Sequence, residues 1–367
     1  MGQSPTPQQD PGRRRTPARQ IPVVILAGFL GSGKTTLLNH LLHHSGGSRI
    51  GAVVNDFGAI EIDAMAVAGA LGDSTVSLGN GCLCCAVDAG ELDVYLDRLT
   101  RPEAGIDVVV IEASGLAEPQ ELVRMVLASE NPEIVYGGLV EVVDAAEFAA
   151  TRTRHPEIDR HLALADLVVV NKTDRAPDAD GVLAAVRSLA DRAAVVPAAY
   201  GRIDPEFLFD CRPSRERIGQ LSFDDLHVHE DGEDGHAGHL HTGYDSLSYV
   251  SEVPLDPRRL MAFLDSRPDG LYRIKGYVDF GVHDPRNRYG VHAVGRFLRF
   301  SPEPWGGAGQ QHLTQLVLIG SGIDADALHK ELRACEEDAR HADEHGMWGV
   351  LRYVRDTQDP DSEEPPV

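Results

Sequence analysis

Residues 21–36 read IPVVILAGFLGSGKTT, and this stretch decides the fold. Residues 22–27 are a continuous apolar, β-branched run. Gly28 to Thr35 fits G-x-x-x-x-G-K-[ST], and TTLLNHLLHH follows with helical periodicity. A strand, a glycine loop and a helix in that order are the setting in which such a loop binds phosphate. Gly28, Gly31 and Gly33 let the backbone curl so that successive N–H groups face phosphate oxygens. Lys34 is expected to neutralise the β and γ phosphates as a catalytic cation. Thr35 offers its hydroxyl to Mg²⁺, Ser32 and Thr36 complete the set beside the phosphates, and the helix N-terminus adds partial positive charge. The spacing predicts a nucleoside triphosphate site.

Outward from this loop the same alternation repeats. IGAVV (50–54), DVVVIE (107–112), GLVEVVD (138–144), DLVVV (166–170) and AAVV (193–196) read as strands covered on both faces. Leu92, Leu96 and Leu99 mark one intervening helical stripe, and Leu183, Val186 and Leu189 another. The pattern predicts an α/β domain with a mostly parallel, doubly wound sheet over 21–218. Its chemistry is expected in loops at the carboxyl ends of the strands. HVHEDGEDGHAGHLHTG (227–243) is too polar and glycine-rich for a core, and 219–245 reads as a histidine-rich linker. Mixed strands flanked by two helices over 246–354 predict a smaller α+β domain. Cys335 is expected on an apolar stripe of its last helix, and Cys211 is also read as structural. Residues 1–20 read as a basic tail and 355–367 as an acidic, proline-rich one.

Two further strand ends carry polar groups. In Asn171-Lys172-Thr173-Asp174 a carboxylate can accept both the N1–H and the amino hydrogens of guanine, a donor pair that adenine lacks. Asn171, Lys172 and Asp174 are therefore assigned to guanine, with 195–204 able to brace the base; ATP use is the weaker rival. Strand 107–111 delivers Glu112 beside the expected Mg²⁺, where it either holds the ion or polarises the attacking water. Gly115 follows with a backbone N–H able to approach the γ phosphate, so phosphate loss would release the segment. Without a dedicated arginine or glutamine, hydrolysis is expected at about 10⁻⁴–10⁻² s⁻¹.

Cys82, Cys84 and Cys85 place three thiols within four residues, after the glycines of GNGC. Thiolates favour Zn²⁺ or Cu(I), and an incomplete set of three suits an ion that must leave again. A redox dithiol is the competing reading, although C-x-C-C is not the usual redox spacing. His227, His229, His236, His239 and His241 lie among four acids and form either a low-affinity metal collector or a solvated linker. His341 and His345 are read as a surface pair.

Composition bounds the partners. The 367 residues carry 34 basic and 57 acidic side chains, a net charge of −23. That balance argues against nucleic acid or an anionic membrane as the main partner. The length suggests about two domains of ~150 residues. Five cysteines, three of them crowded together, do not make a disulfide framework and point to a reduced, cytoplasmic setting. The apolar run 21–30 after Arg13–Arg15 is too short for a membrane helix, which needs ~18 residues or more. It also lacks a signal cleavage site.

With these residues in view, the chain resembles the CobW-type P-loop GTPases, metallochaperones related to the urease and hydrogenase nickel-accessory GTPases. The resemblance runs from Ile21 to Glu344. Its carriers are GFLGSGKTT, NDFGAIEID (55–63), GNGCLCC, EASGLAEP, NKTD, the histidine-rich linker, YRIKGYVDF (272–280) and LVLIGSGIDADAL (316–328). It implies a GTPase that binds zinc or a similar ion at Cys82, Cys84 and Cys85 and delivers it to a client metalloprotein, with Lys34, Thr35, Glu112, Asn171 and Asp174 matching the family pattern. One segment departs. The family reads N-E-F-G-E where this chain has Asn55-Asp56-Phe57-Gly58-Ala59, so one carboxylate is a methylene shorter and another is missing. Glu61 is the nearest candidate to compensate. Two other readings stay open: a redox- or metal-sensing regulatory GTPase without cargo, and a cobalt or iron chaperone for cobalamin assembly or nitrile hydratase activation.

Overall fold

The computed structural model describes residues 20–54, 75–77, 89–115, 117–210, 244–306, 311–336 and 345–354. Seven strands form an all-parallel sheet: β1 (Ile21–Ala27), β2 (Ile50–Val54), β3 (Thr75–Ser77), β4 (Val108–Glu112), β5 (Ile134–Asp144), β6 (Leu167–Asn171) and β7 (Ala194–Pro197). Their order is β3-β2-β4-β1-β5-β6-β7. The strand order reverses around β1, which has β4 on one side and β5 on the other. A crevice at the carboxyl ends is expected there.

Helix α1 (Lys34–His43) covers one face with the short α7 (Pro205–Leu208), burying Leu37, Leu38, Leu41, Phe207 and Leu208 against Val24, Leu26 and Val110. The other face is covered by α2 (Ala89–Leu99), α3 (Pro119–Ala128), α5 (Ile158–Leu164) and α6 (Ala179–Leu189), with α4 (Phe148–Arg154) beside them. The predicted leucines of α2 and Leu183 and Val186 of α6 are all buried. Strand β3 was not anticipated, because three residues at a sheet edge leave no periodicity to read.

The second unit is a five-stranded antiparallel sheet in the order β11-β10-β9-β12-β8. Its strands are β8 (Asp245–Ser251), β9 (Leu271–Val278), β10 (Asn287–Val294), β11 (Phe297–Pro304) and β12 (Thr314–Gly320). Helices α8 (Pro257–Asp265), α9 (Ala325–Ala334) and α10 (Trp348–Leu351) close one core with it. Asp256 and Asp324 cap α8 and α9 through their carboxylates, each contributing about 1 kcal/mol. Cys335 is buried just past α9 and its thiol reaches Glu331 O at 3.3 Å.

A bulge joins the two sheets. Val23 pairs with Tyr136 but Val24 pairs with Gly138, so Gly137 is an extra residue in β5. Gly138 has φ +112, and a Cβ there would lie 2.8 Å from Val294. The backbone thus lets β9 and β10 come close: Tyr272 Oη donates to Gly137 O at 3.3 Å, and His292 Nε2 lies 2.9 Å from Tyr136 O. Tyr272, Val294 and Ile319 then complete the core shared with β1 and α1.

Candidate functional site

The glycine loop is strained in the way its residues permit. Gly28, Gly31 and Gly33 all take positive φ (139, 79 and 104). A Cβ on Gly33 would run into Asn171 Nδ2, so only glycine fits there. Ser32 Oγ is buried and has no hydrogen-bond partner. Lys34, also buried, donates from Nζ to Gly28 O at 2.8 Å and Phe29 O at 3.3 Å. A buried hydroxyl with unused capacity, an ammonium curled back over the loop and three open-φ glycines fit a phosphate chain. Thr36 is exposed on the first turn of α1.

Thr35 Oγ1 donates to Glu112 Oε1 at 2.7 Å, a bond between residues 77 apart in sequence. The register explains it: Leu26 pairs with Glu112, so the end of β4 stands beside the start of the loop. A hydroxyl and a carboxylate in contact at the end of the phosphate loop fit Mg²⁺, a hard ion that takes oxygen ligands. Gly115 packs on the loop itself, since a Cβ there would sit 2.7 Å from Leu30 N.

Asn171 is held by the loops on either side of it. Its Nδ2 donates to Ser32 O at 3.0 Å and its Oδ1 accepts from Gly201 N at 2.9 Å, with the residue buried. It ties the phosphate loop to the loop after β7. Lys172 adopts φ 59 and donates from Nζ to Gly31 O and to Asp144 Oδ2, both at 2.6 Å. Asp144, at the end of β5, was missed in the sequence. A carboxylate closing an apolar strand was the signal available for it. Thr173 N and Oγ1 both donate to Ala198 O. Asp174 stands exposed on the 3₁₀ turn Thr173–Arg175, free of the burial that holds Asn171. Tyr200 is 66% exposed at φ 55, on the loop that Asn171 anchors.

The remaining predicted ligands fall outside the described residues: Cys82, Cys84 and Cys85, Asp56 and Glu61, and His227, His229, His236, His239 and His241, as do Cys211 and His341. What is fixed is the pair of ends between which the thiol segment runs. β3 ends at Ser77, on the same edge as the phosphate loop, and α2 begins at Ala89. His345 packs edge-on against Trp348 at 4.2 Å. No helix among the described residues is long and apolar enough to cross a membrane.

Residues 22–197 match the family described as "CobW/HypB/UreG, nucleotide-binding domain", and 244–336 match "Cobalamin synthesis protein cobW C-terminal domain". A zinc chaperone CobW from a Sinorhizobium species is 31% identical over 82% of this chain and 93% of its own length. Another zinc chaperone CobW, from Pseudomonas aeruginosa, is 34% identical over 86% and 91%. Among solved structures, the Zn(II)-bound YjiA GTPase of E. coli aligns over 87% of this chain and 99% of its own, at 23% identity and a TM-score of 0.41.

Proposed function

Since the chain belongs to the CobW/HypB/UreG family, we propose that it is a GTP-hydrolysing zinc metallochaperone, loading a client metalloprotein from Cys82, Cys84 and Cys85. The observation that carries the coupling is the Thr35–Glu112 hydrogen bond, because it joins the phosphate loop to the segment that senses the γ phosphate.

The roles divide as follows. The loop glycines present backbone N–H groups to the phosphates, Ser32 Oγ adds a donor, and Lys34 swings from the Gly28 and Phe29 carbonyls to the β and γ oxygens. Thr35 and Glu112 would hold Mg²⁺, which would offset charge on the phosphates. Glu112 would also order the attacking water. Gly115 reads the γ phosphate from its place against Leu30. Asp174 accepts from guanine, Lys172 and Tyr200 flank the base, and Asn171 holds both loops in register. Hydrolysis by this set alone is slow, because it includes no arginine or glutamine among the described residues.

Zinc is cargo here. Its support is the thiolate set and the printed identity of the relatives, with zinc preferred to cobalt or iron on the softness of three sulfurs. β3, after which the chain runs on to the thiols, ends at the carboxyl edge of the sheet, as does the strand before the phosphate loop. The acidic charge and the cysteine usage favour a cytoplasmic site of action.

Zinc titration of reduced protein tests this directly. It should find about one tight ion per chain that is lost in Cys84→Ala/Cys85→Ala, with an affinity differing roughly 5–150-fold between GTP-analogue and GDP complexes. Tight zinc binding that survives the double change, or equal affinities in the two nucleotide states, would sink the assignment.

A further inference from the structure

Glu141 lies in the middle of β5, between Ala27 of β1 and Val168 of β6, and is wholly buried. Neither Oε1 nor Oε2 has a hydrogen-bond partner. Its neighbours on alternate positions, Leu139 and Val143, pack into the apolar layer under α3 and α5. An ionised carboxylate in such a place costs several kcal/mol unless something compensates. A valine would fill the position without that cost, so the carboxyl needs a reason.

The charged groups nearby narrow the reason. β1 and β6 bring only Ile25, Ala27, Val168 and Val170 to flank it. On α3, Glu121 and Arg124 pair with each other at the surface. On α5, Asp159 pairs with Arg152 and Arg160 with Glu118, while His161 Nε2 sits 3.6 Å from that same Glu118. The register brings in Lys34, because Gly28, whose carbonyl accepts from its ammonium at 2.8 Å, follows Ala27, the β1 partner of Glu141. The same ammonium donates to Phe29 O at 3.3 Å.

We propose that Glu141 is a proton-accepting counter-charge to Lys34, so that when triphosphate draws the ammonium away, Glu141 takes a proton from solvent and nucleotide binding becomes linked to proton uptake. The step moves one proton from water or buffer to a carboxylate oxygen, and no electrons change hands. Glu141 is a positioning residue in this account, since it acts on the nucleotide through Lys34. Burial already pushes its pKa up to about 8 against the opposing pull of Lys34. Weakening that pull and adding phosphate charge both raise it further. The inference rests on the nucleotide reading of the loop.

The test uses full-length protein, Mg²⁺ and a non-hydrolysable GTP analogue at pH 6.5 and 8.5. Wild type should lose about fourfold more affinity across that range than Glu141→Gln, because binding that consumes a proton weakens as the free group ionises. Titration of the nucleotide itself is common to both proteins and cancels. Calorimetry of wild type at pH 8, in buffers of different ionisation heat, should show about half a proton taken up per analogue bound. That count decides the matter even if the variant does not fold. Equal pH slopes, or no uptake by wild type, overturn the proposal. Absence of analogue binding to wild type at either pH defeats the nucleotide reading instead.

Discussion

Two carboxyl groups, one half-buried and one wholly buried, stand towards opposite ends of the parallel sheet, and the protein treats them differently. Asp166, at the amino end beside β6, accepts from Tyr136 Oη at 2.6 Å and Leu139 N at 2.9 Å. Burial raises its pKa to about 6, with those two bonds pulling the other way. Glu141, towards the carboxyl end, has no bond at all, and its pKa stands at about 8. The second sheet closes over Asp166: a Cβ on Gly295 would collide with its carboxylate. Around the phosphate loop, Ser32 Oγ is left with unused capacity. Satisfied polar groups make a joint, and unsatisfied ones make a place for a ligand.

Removing each carboxyl should therefore have opposite effects. Asp166→Ala strips two donors of their acceptor under the inter-sheet joint. It should cost about 3 kcal/mol, read as a lower urea midpoint at unchanged m-value. Glu141→Met keeps the volume and removes only the unsolvated group. It should raise stability by about 2 kcal/mol at pH 8, because a buried charge without hydrogen bonds gains from an apolar replacement. Should Glu141→Met destabilise as Asp166→Ala does, the carboxyl has a structural partner and the contrast fails.

The contrast also marks what could be read before the fold was seen. The phosphate loop is local chemistry, and its strand, glycines, lysine and helix stand in one stretch of 16 residues from Ile21 to Thr36. Glu112 lies far away in sequence, yet the rule that function gathers at strand ends was enough to place it beside Thr35. Asn171 and Lys172 were expected at the base. Their side chains also bond to Ser32 O and Gly31 O, which the motif did not reveal, because a motif names residue types but not their neighbours in space. Glu141 passed as one polar position in an apolar run. Its isolation comes from β1, β6 and two helices closing round it, none of which its own segment encodes. The Gly137–Gly138 bulge was hidden likewise, since its cause is Val294, more than a hundred residues away. The thiols were read as a metal site by type and spacing alone, and they lie outside the described residues.

The joint offers the finest test of the comparison. His292 reaches from β10 to Tyr136 O, and burial is the main cause holding its pKa down near 4, with that backbone bond opposing. A histidine depressed in the folded state adds stability above its ordinary pKa of about 6.5, and that stability drains away as pH falls toward 4. Between pH 7 and 5.5 the loss should be about 1 kcal/mol. His40 and His161 are also pushed down by burial and contribute their own slope, so the measurement must be a difference. His292→Gln retains an N–H for the Tyr136 carbonyl and cannot titrate. Its urea midpoint should fall less than that of wild type over the same range. Parallel curves would mean that His292 meets the proton equally in the folded and unfolded chain, and that the joint is wetter than its bonds imply.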